Sequence, residues 1–187
     1  METALAIRTR RTVKDFTGAP ISRELLNDFC EQASWAPTHR LTQPWRFAVL
    51  DQPAIVRLSA FLMATPAIGA VPDPAKGAAK LAKLCERLPT LGAMIHATWV
   101  RDRNPAIDLE EHAAASAAVQ NLLLAATSAG VGSFWSTNSA LSHPLTQAWC
   151  GSDPASEGFL GSLWLGIAAE QPLAPPRRPI TSFVRYC

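Results

Sequence analysis

No stretch of the 187 residues approaches the roughly 20 consecutive apolar positions of a membrane span. The richest run, Ala113 to Ala126, is interrupted by Ser116, Gln120 and Asn121, so no membrane partner is expected. Charge is scarce too: only 17% of residues carry it, and the net +2 is too small to imply a nucleic-acid footprint. With six tryptophans in the same chain, a surface this short of charge points to one face meeting another subunit. Cys30, Cys85, Cys150 and Cys187 have no framework spacing, and Met1 to Arg8 lacks the order of basic, apolar and cleavage-site residues found in a secretion signal. The expectation is a reducing cytoplasm, with the thiols acting as small core residues and none as a nucleophile.

Several chemistries lack their usual signature. There is no Gly-x-Gly-x-x-Gly after a strand, no Walker loop, no paired-Cys or His-x-x-x-His metal spacing and no Gly-x-Ser-x-Gly elbow. No metal site is expected. Gly130-Val131-Gly132 follows a helix and leads into Phe134-Trp135, so it reads as a helix stop and strand entry rather than a dinucleotide fingerprint. His96, His112 and His143 are scattered and read as structural or exposed residues.

What remains is one domain, residues 1–187, long enough to bury a core without a metal or disulfide staple. Ser22 is a good N-cap, and Leu25, Leu26, Phe29, Cys30 and Ala33 form a helical stripe closed by Pro37. Trp45 to Leu50 has the density of a strand, stopped by Asp51-Gln52-Pro53, with a helix resuming at Ala54. Residues 64 to 77, with three prolines and two glycines, read as a loop or lid. A basic helix, Ala75 to Arg87, then precedes a buried strand from Leu91 to Val100.

Asp108 sits three residues before Glu111 as in a capping box, so the spacing predicts a long helix from Asp108 to a left-handed stop at Gly130. This helix is apolar nearly all round and is expected at the centre of the domain or of a subunit interface. Two more strands, Val131 to Thr137 and Phe159 to Ile167, flank a short helix near Leu145 to Trp149, and the proline-rich tail, Gln171 to Pro179, cannot be helical. The pattern gives an α/β or α+β layer with helices covering a small sheet.

Three segments carry candidate chemistry. Arg8, Arg10, Arg11 and Lys14 place four cations around the Thr12 hydroxyl, a set able to hold a phosphate. Ala36 to Phe47 is a proline-bounded turn rich in hydrogen-bonding side chains, and Ala125 to Thr137 carries a helix into Trp135-Ser136-Thr137. Each alone also fits an ordinary solvated face, polar loop or core strand.

Taken in order, these segments resemble the nitroreductase-like FMN-dependent oxidoreductases, in their compact branch, over most of the chain. Arg10-Arg11-Thr12-Val13-Lys14-Asp15-Phe16 is similar to the family's opening Arg-Arg-Ser/Thr segment. Ala36-Pro37 through Gln43-Pro44-Trp45-Arg46-Phe47 is similar to its Ala-Pro-Ser-x-x-Asn-x-Gln-Pro-Trp element. Glu111 to Trp135, Leu163 to Gly166 and Arg177 to Val184 resemble the central helix, last strand and tail.

The resemblance implies an α+β fold, a small mostly antiparallel sheet flanked by helices, in an interlocked homodimer with FMN between subunits. It places Arg10, Arg11, Thr12 and Lys14 on the FMN phosphate, ribityl chain and pyrimidine edge, with Arg178, and also Arg177, matching the basic tail that can reach the phosphate. Trp35 and His39 would approach the same FMN from the other subunit, and Trp135, Ser136 and Thr137 would line the opposite side. Leu41 stands where the family usually has Asn, so one flavin contact is absent or comes from His39 or Arg40.

The implied activity is hydride transfer from NADH or NADPH through flavin N5 to a small-molecule acceptor such as a nitroaromatic or quinone, by a ping-pong mechanism. No side chain is expected to act as an acid or base. Alternatives are a different FMN-dependent reduction, a flavin-binding or flavin-storing protein with little turnover, and a cofactor-free interaction module.

Overall fold

The computed structural model describes every residue except Val71, so part of the 64 to 77 loop lies outside the described residues. Four strands, β1 (Trp45–Leu50), β2 (Ala93–Val100), β3 (Gly132–Ser136) and β4 (Glu157–Gly166), form one sheet in the order β1-β2-β4-β3, and every strand pairing is antiparallel. Helices cover both faces, as an α+β layer requires.

Period-2 alternation divides the strand side chains between two cores. On one face Ala93, Ile95, Ala97, Leu163 and Leu165 pack with α2 (Arg23–Ser34) and α5 (Pro105–Ser128). On the other Met94, Trp164 and Leu50 pack with α3 (Gln52–Ala64) and α4 (Pro74–Arg87), and with Leu141 beyond β3. The short α6 (Ser139–Ser142) and α7 (Pro144–Trp149) finish that side.

Ser22 caps α2 as expected, accepting from Leu25 N at 3.2 Å, and Gly130 ends the α5 region with φ +76°. The predicted α5 start is corrected. The helix begins at Pro105, capped by Asn104, whose Oδ1 accepts from Ala106 N at 3.0 Å. Asp108 instead accepts from the Trp99 indole N–H at 3.0 Å, and the buried Glu111 accepts from the Thr42 hydroxyl at 2.7 Å. Tertiary partners took both acids that the local spacing had assigned to each other.

The predicted 64 to 77 loop is also shorter than expected: Pro66–Gly69 is a single 3-10 turn, and α4 already starts at Pro74, with Asp73 as its cap. A further helix, α1 (Thr3–Thr9), had no counterpart in the sequence reading.

The segment after α1 runs along the outer edge of β3. Val13 N donates to Ser133 O at 2.9 Å, and Thr12 forms an isolated parallel bridge with Ser133. Because Val13 is buried, its neighbours Thr12 and Lys14 are turned outward. This backbone pairing covers a sheet edge and holds the basic segment in one register.

One core residue carries a pH dependence. His96, on β2, is 1% exposed, neither ring nitrogen has a hydrogen-bond partner among the described residues, and burial pushes its pKa from 6.5 down to about 4. The folded state therefore favours the neutral ring. Its contribution is present above the unfolded pKa of 6.5 and is lost as pH falls from about 6.5 to about 4. Stability is expected to fall by about 3 kcal/mol across that window from this group alone. Urea unfolding at several pH values checks it: His96→Leu should flatten the slope, and an unchanged slope would assign the acid sensitivity elsewhere.

Candidate functional site

Arg10 and Arg11 are half-buried where α1 gives way to the strand-like segment. Arg11 is braced by its own backbone, donating to Arg8 O at 2.7 Å and Arg10 O at 2.9 Å. Arg10 has its pKa lowered by burial first, then by repulsion from Arg177 and Arg11. The C-terminal tail is thus folded back so that Arg177 faces the N-terminal arginines, and Arg8, Arg11 and Arg177 share the lining of a cleft with Ile7, Ala174 and Pro175.

Among the described residues the ion pairs are His39–Glu110 and Lys76–Asp73, so none of these arginines has a carboxylate within pairing distance. Like charges gathered without a counter-charge destabilise the protein on its own and favour a bound anion. Both tail arginines are exposed, and of the two it is Arg177 whose charge acts on Arg10.

A second cationic group lies on the other side of Lys14. The Lys14 ammonium sits 5.8 Å from the Phe134 ring centroid, and Arg87 donates to Lys14 O at 2.8 Å while stacking 5.1 Å from the Trp164 ring. Phe134 and Trp164 meet edge to face at 5.2 Å. Of these groups Arg87 and Trp164 line a cavity of about 380 Å³ between α4 and the turn from β3 into α6, with Lys80, Lys83, Asn138 and Ser139 among its other walls.

Lys80, Lys83, Arg87, Asn138 and Ser139 were not among the candidate site residues. The signal available in the sequence was the i, i+3, i+7 spacing of the three cations, which places them on one helical face.

The aromatic candidates behave differently from one another. Trp135 is half-buried against the first core, and its indole N–H donates to Leu160 O at 2.9 Å. The β2–β4 register shifts between Ala97, opposite Gly161, and Thr98, opposite Phe159, which leaves Leu160 as the bulged residue. Trp135 thus satisfies a carbonyl that the ladder does not. Ser136 is buried and Thr137 exposed at the strand end. Trp35, by contrast, is 79% exposed, beside Met1, Thr3 and Gln32, and His39 pairs loosely with Glu110 at 3.8 Å.

The turn carrying His39 is strained. Arg40, Leu41 and Gln43 have φ of 52°, 55° and 48°, all left-handed and none glycine. Thr38 and Thr42 hydroxyls lie 2.9 Å apart, and the Thr42 bond to Glu111 ties the turn to α5. Backbone held in this region by surrounding bonds is characteristic of binding and catalytic sites. Leu41 is also mostly exposed, so little packing offsets its conformation. Leu41→Asn is expected to stabilise the protein by about 1 kcal/mol, since Asn tolerates this region far better. Thermal unfolding measures it, and an unchanged or lower midpoint would show that Leu41 is not strained in solution.

Burial pushes the Cys30 thiol up to about 11 and the Cys150 thiol up to about 12, which keeps both protonated at neutral pH. No group of His, Cys, Asp and Glu able to hold a metal occurs among the described residues, and none of their helices is long and apolar enough to cross a membrane.

A helix-flanked antiparallel sheet whose edge strand is paired with a basic N-terminal segment defines a recognisable class, and comparison with known proteins identifies it. The nitroreductase family pattern matches residues 7–167. The chain belongs to the nitroreductase family. It is 27% identical over 175 residues to "Putative NAD(P)H nitroreductase YfhC" of Bacillus subtilis (strain 168), covering 93% of this chain and 88% of that protein.

Among solved structures, a nitroreductase-like family protein from Bacillus cereus superposes with a TM-score of 0.88 at 24% identity, over 100% of this chain and 96% of that one. The FMN and NADPH-dependent nitroreductase NfnB from sphigopyxis sp. strain HMH superposes with a TM-score of 0.77 at 19% identity, over 100% and 99%. At these identities the structural likenesses speak for the fold.

Proposed function

We propose that the protein is a homodimeric, FMN-dependent oxidoreductase that uses NADH or NADPH to reduce a nitroaromatic, quinone or similar small acceptor. The observation that carries this reading is the half-buried Arg10, set against Arg11 and Arg177 with no carboxylate partner among the described residues. That donor set suits a phosphate monoester, and the solved relative named for FMN and NADPH dependence shares the fold.

When bound, FMN would supply the redox chemistry, hydride transfer between a nicotinamide and the acceptor with ping-pong kinetics. The chain's own residues do the rest. Arg10, Arg11 and Arg177 would hold the phosphate, with the outward-facing Thr12 hydroxyl as a further donor. Arg178, on the same tail, remains within the proposed set. Lys14 and Arg87 would place positive charge at the pyrimidine edge, favouring electron density arriving there. Phe134 and Trp164 keep water from the adjoining wall, and Ser136 and Thr137 end the strand beside it. Trp135 contributes through the bulge that it holds.

Trp35 and Leu41 are about 80% exposed, and Leu109 70%, large apolar side chains that would gain from cover by a second copy. The second copy would bring Trp35 and His39 to the first copy's cofactor. The four unpaired cysteines suit a reducing cytoplasm.

The test is spectroscopic. The purified protein, reconstituted with FMN and freed of excess, is expected to be yellow, to bleach anaerobically with NADH or NADPH, and to sediment as a dimer. A protein that binds FMN but does not bleach would be a flavin store rather than an enzyme, and a monomer with one FMN per chain would remove the shared site.

A further inference from the structure

The cavity between α4 and the β3–α6 turn has an unbalanced inventory of side-chain hydrogen-bonding groups. Lys80, Lys83 and Arg87 line it from α4, and among the described residues no carboxylate does. One turn earlier Lys76 is neutralised by Asp73 at 3.2 Å, whereas Lys80 and Lys83 have no acid within pairing distance among the described residues. Across the cavity the Ser139 hydroxyl can donate as well as accept, and the acceptor atoms of Asn138 and His143 are already engaged. Asn138 Oδ1 accepts from Ala140 N at 2.9 Å, which leaves the amide NH₂, and His143 Nδ1 accepts from Leu145 N at 3.2 Å, which leaves Nε2 to carry the proton. The remaining wall is apolar, from Leu81, Leu84 and Trp164.

We infer that this cavity selects ligands that join an anionic group to a flat apolar body, the simplest being an aromatic carboxylate, and that the electron acceptor of the enzyme belongs to this class. The ligand's role as electron acceptor rests on the flavoenzyme reading; the ligand preference stands on the cavity itself. A neutral ligand entering here displaces water from several donors and returns few acceptors, while a carboxylate returns two charged oxygens with about four lone-pair sites. The volume of about 380 Å³ is at the small end of ligand cavities, which suits a single substituted ring. Arg87 is fixed in the wall by its bond to Lys14 O and its stack on Trp164. The exposed Lys80 and Lys83 are the mobile cations at the mouth, so the selectivity is assigned to them.

Calorimetric titration of the flavin-loaded protein with benzoate and, separately, with the isosteric neutral benzamide tests this. Benzoate is expected to bind about tenfold more tightly, as one charge-assisted bond provides. The variant Lys80→Gln/Lys83→Gln should bring the ratio close to one while benzamide affinity and the visible spectrum stay as they were. Equal affinities in the unmodified protein, or a ratio that survives the double substitution, would overturn the inference. A protein that takes up no FMN yet still prefers benzoate would sink the flavoenzyme reading and leave the anion site standing; a flavoprotein that bleaches normally but shows no preference would do the reverse.

Discussion

Replacing Arg10 with Ala is expected to weaken FMN binding by roughly 10- to 100-fold, the equivalent of about 1.5–3 kcal/mol for a lost charge-assisted hydrogen bond. The same change should leave the FMN-free protein equally stable or slightly more so. Both follow from one arrangement. Arg10 is half-buried and repelled by Arg177 and Arg11, so without a phosphate it is a source of strain, and with one it becomes a ligand. Fluorescence titration gives the affinity, and thermal unfolding with and without FMN gives the two stabilities. Salt should weaken the interaction in the unmodified protein more than in the variant, since fewer charges remain to be screened. Undiminished FMN affinity would take Arg10 out of the site, and a marked loss of stability in the FMN-free variant would mean that the guanidinium is structural.

The largest effect on folding is expected at Gly161. A Cβ there would overlap Nε1 and Cδ1 of the Trp135 ring. The ring cannot simply withdraw, because its N–H holds the bulged Leu160 carbonyl and its body packs on the first core. Gly161→Ala is therefore expected to cost about 3 kcal/mol as overpacking, lowering the unfolding midpoint by roughly 6–12 °C for a chain of this size.

Trp135→Phe should cost about 1–3 kcal/mol by leaving the Leu160 carbonyl without its donor. The two changes act on one contact, so the double variant should lose less than the two single losses added together, the smaller ring making room for the new methyl. Strict additivity in calorimetric or denaturant unfolding would show that Trp135 and Gly161 are not in contact, and the structural role given to Trp135 would fail with it.

The elements readable along the chain were those whose signals are local. Trp45–Leu50 appears as β1 because aromatic and aliphatic density ends at a proline, and Ser22 and Gly130 mark helix ends through chemistry that acts within a few residues. α1 was not readable because it has no side-chain cap, is seven residues long and buries only Ala6; its contacts with α5 hold it in place. The Asp108–Glu111 spacing fits a capping box, but none forms, because the Trp99 indole and the Thr42 hydroxyl bind the two carboxylates instead.

The candidate site divides in the same way. Residue types and order alone determined the basic N-terminal segment, the proline-bounded polar turn before Trp45 and the family to which the chain belongs, since each is a run of neighbours whose chemistry is read within a few positions; that the turn is strained came from the structure. Only the folded chain decided that Arg177 is the tail arginine facing Arg10, that Trp135 spends its N–H on a bulge, and that Lys80 and Lys83 overlook a cavity. Those outcomes depend on which helix face docks and where a tail returns. Both are set by burial across long sequence separations, and no local pattern encodes them.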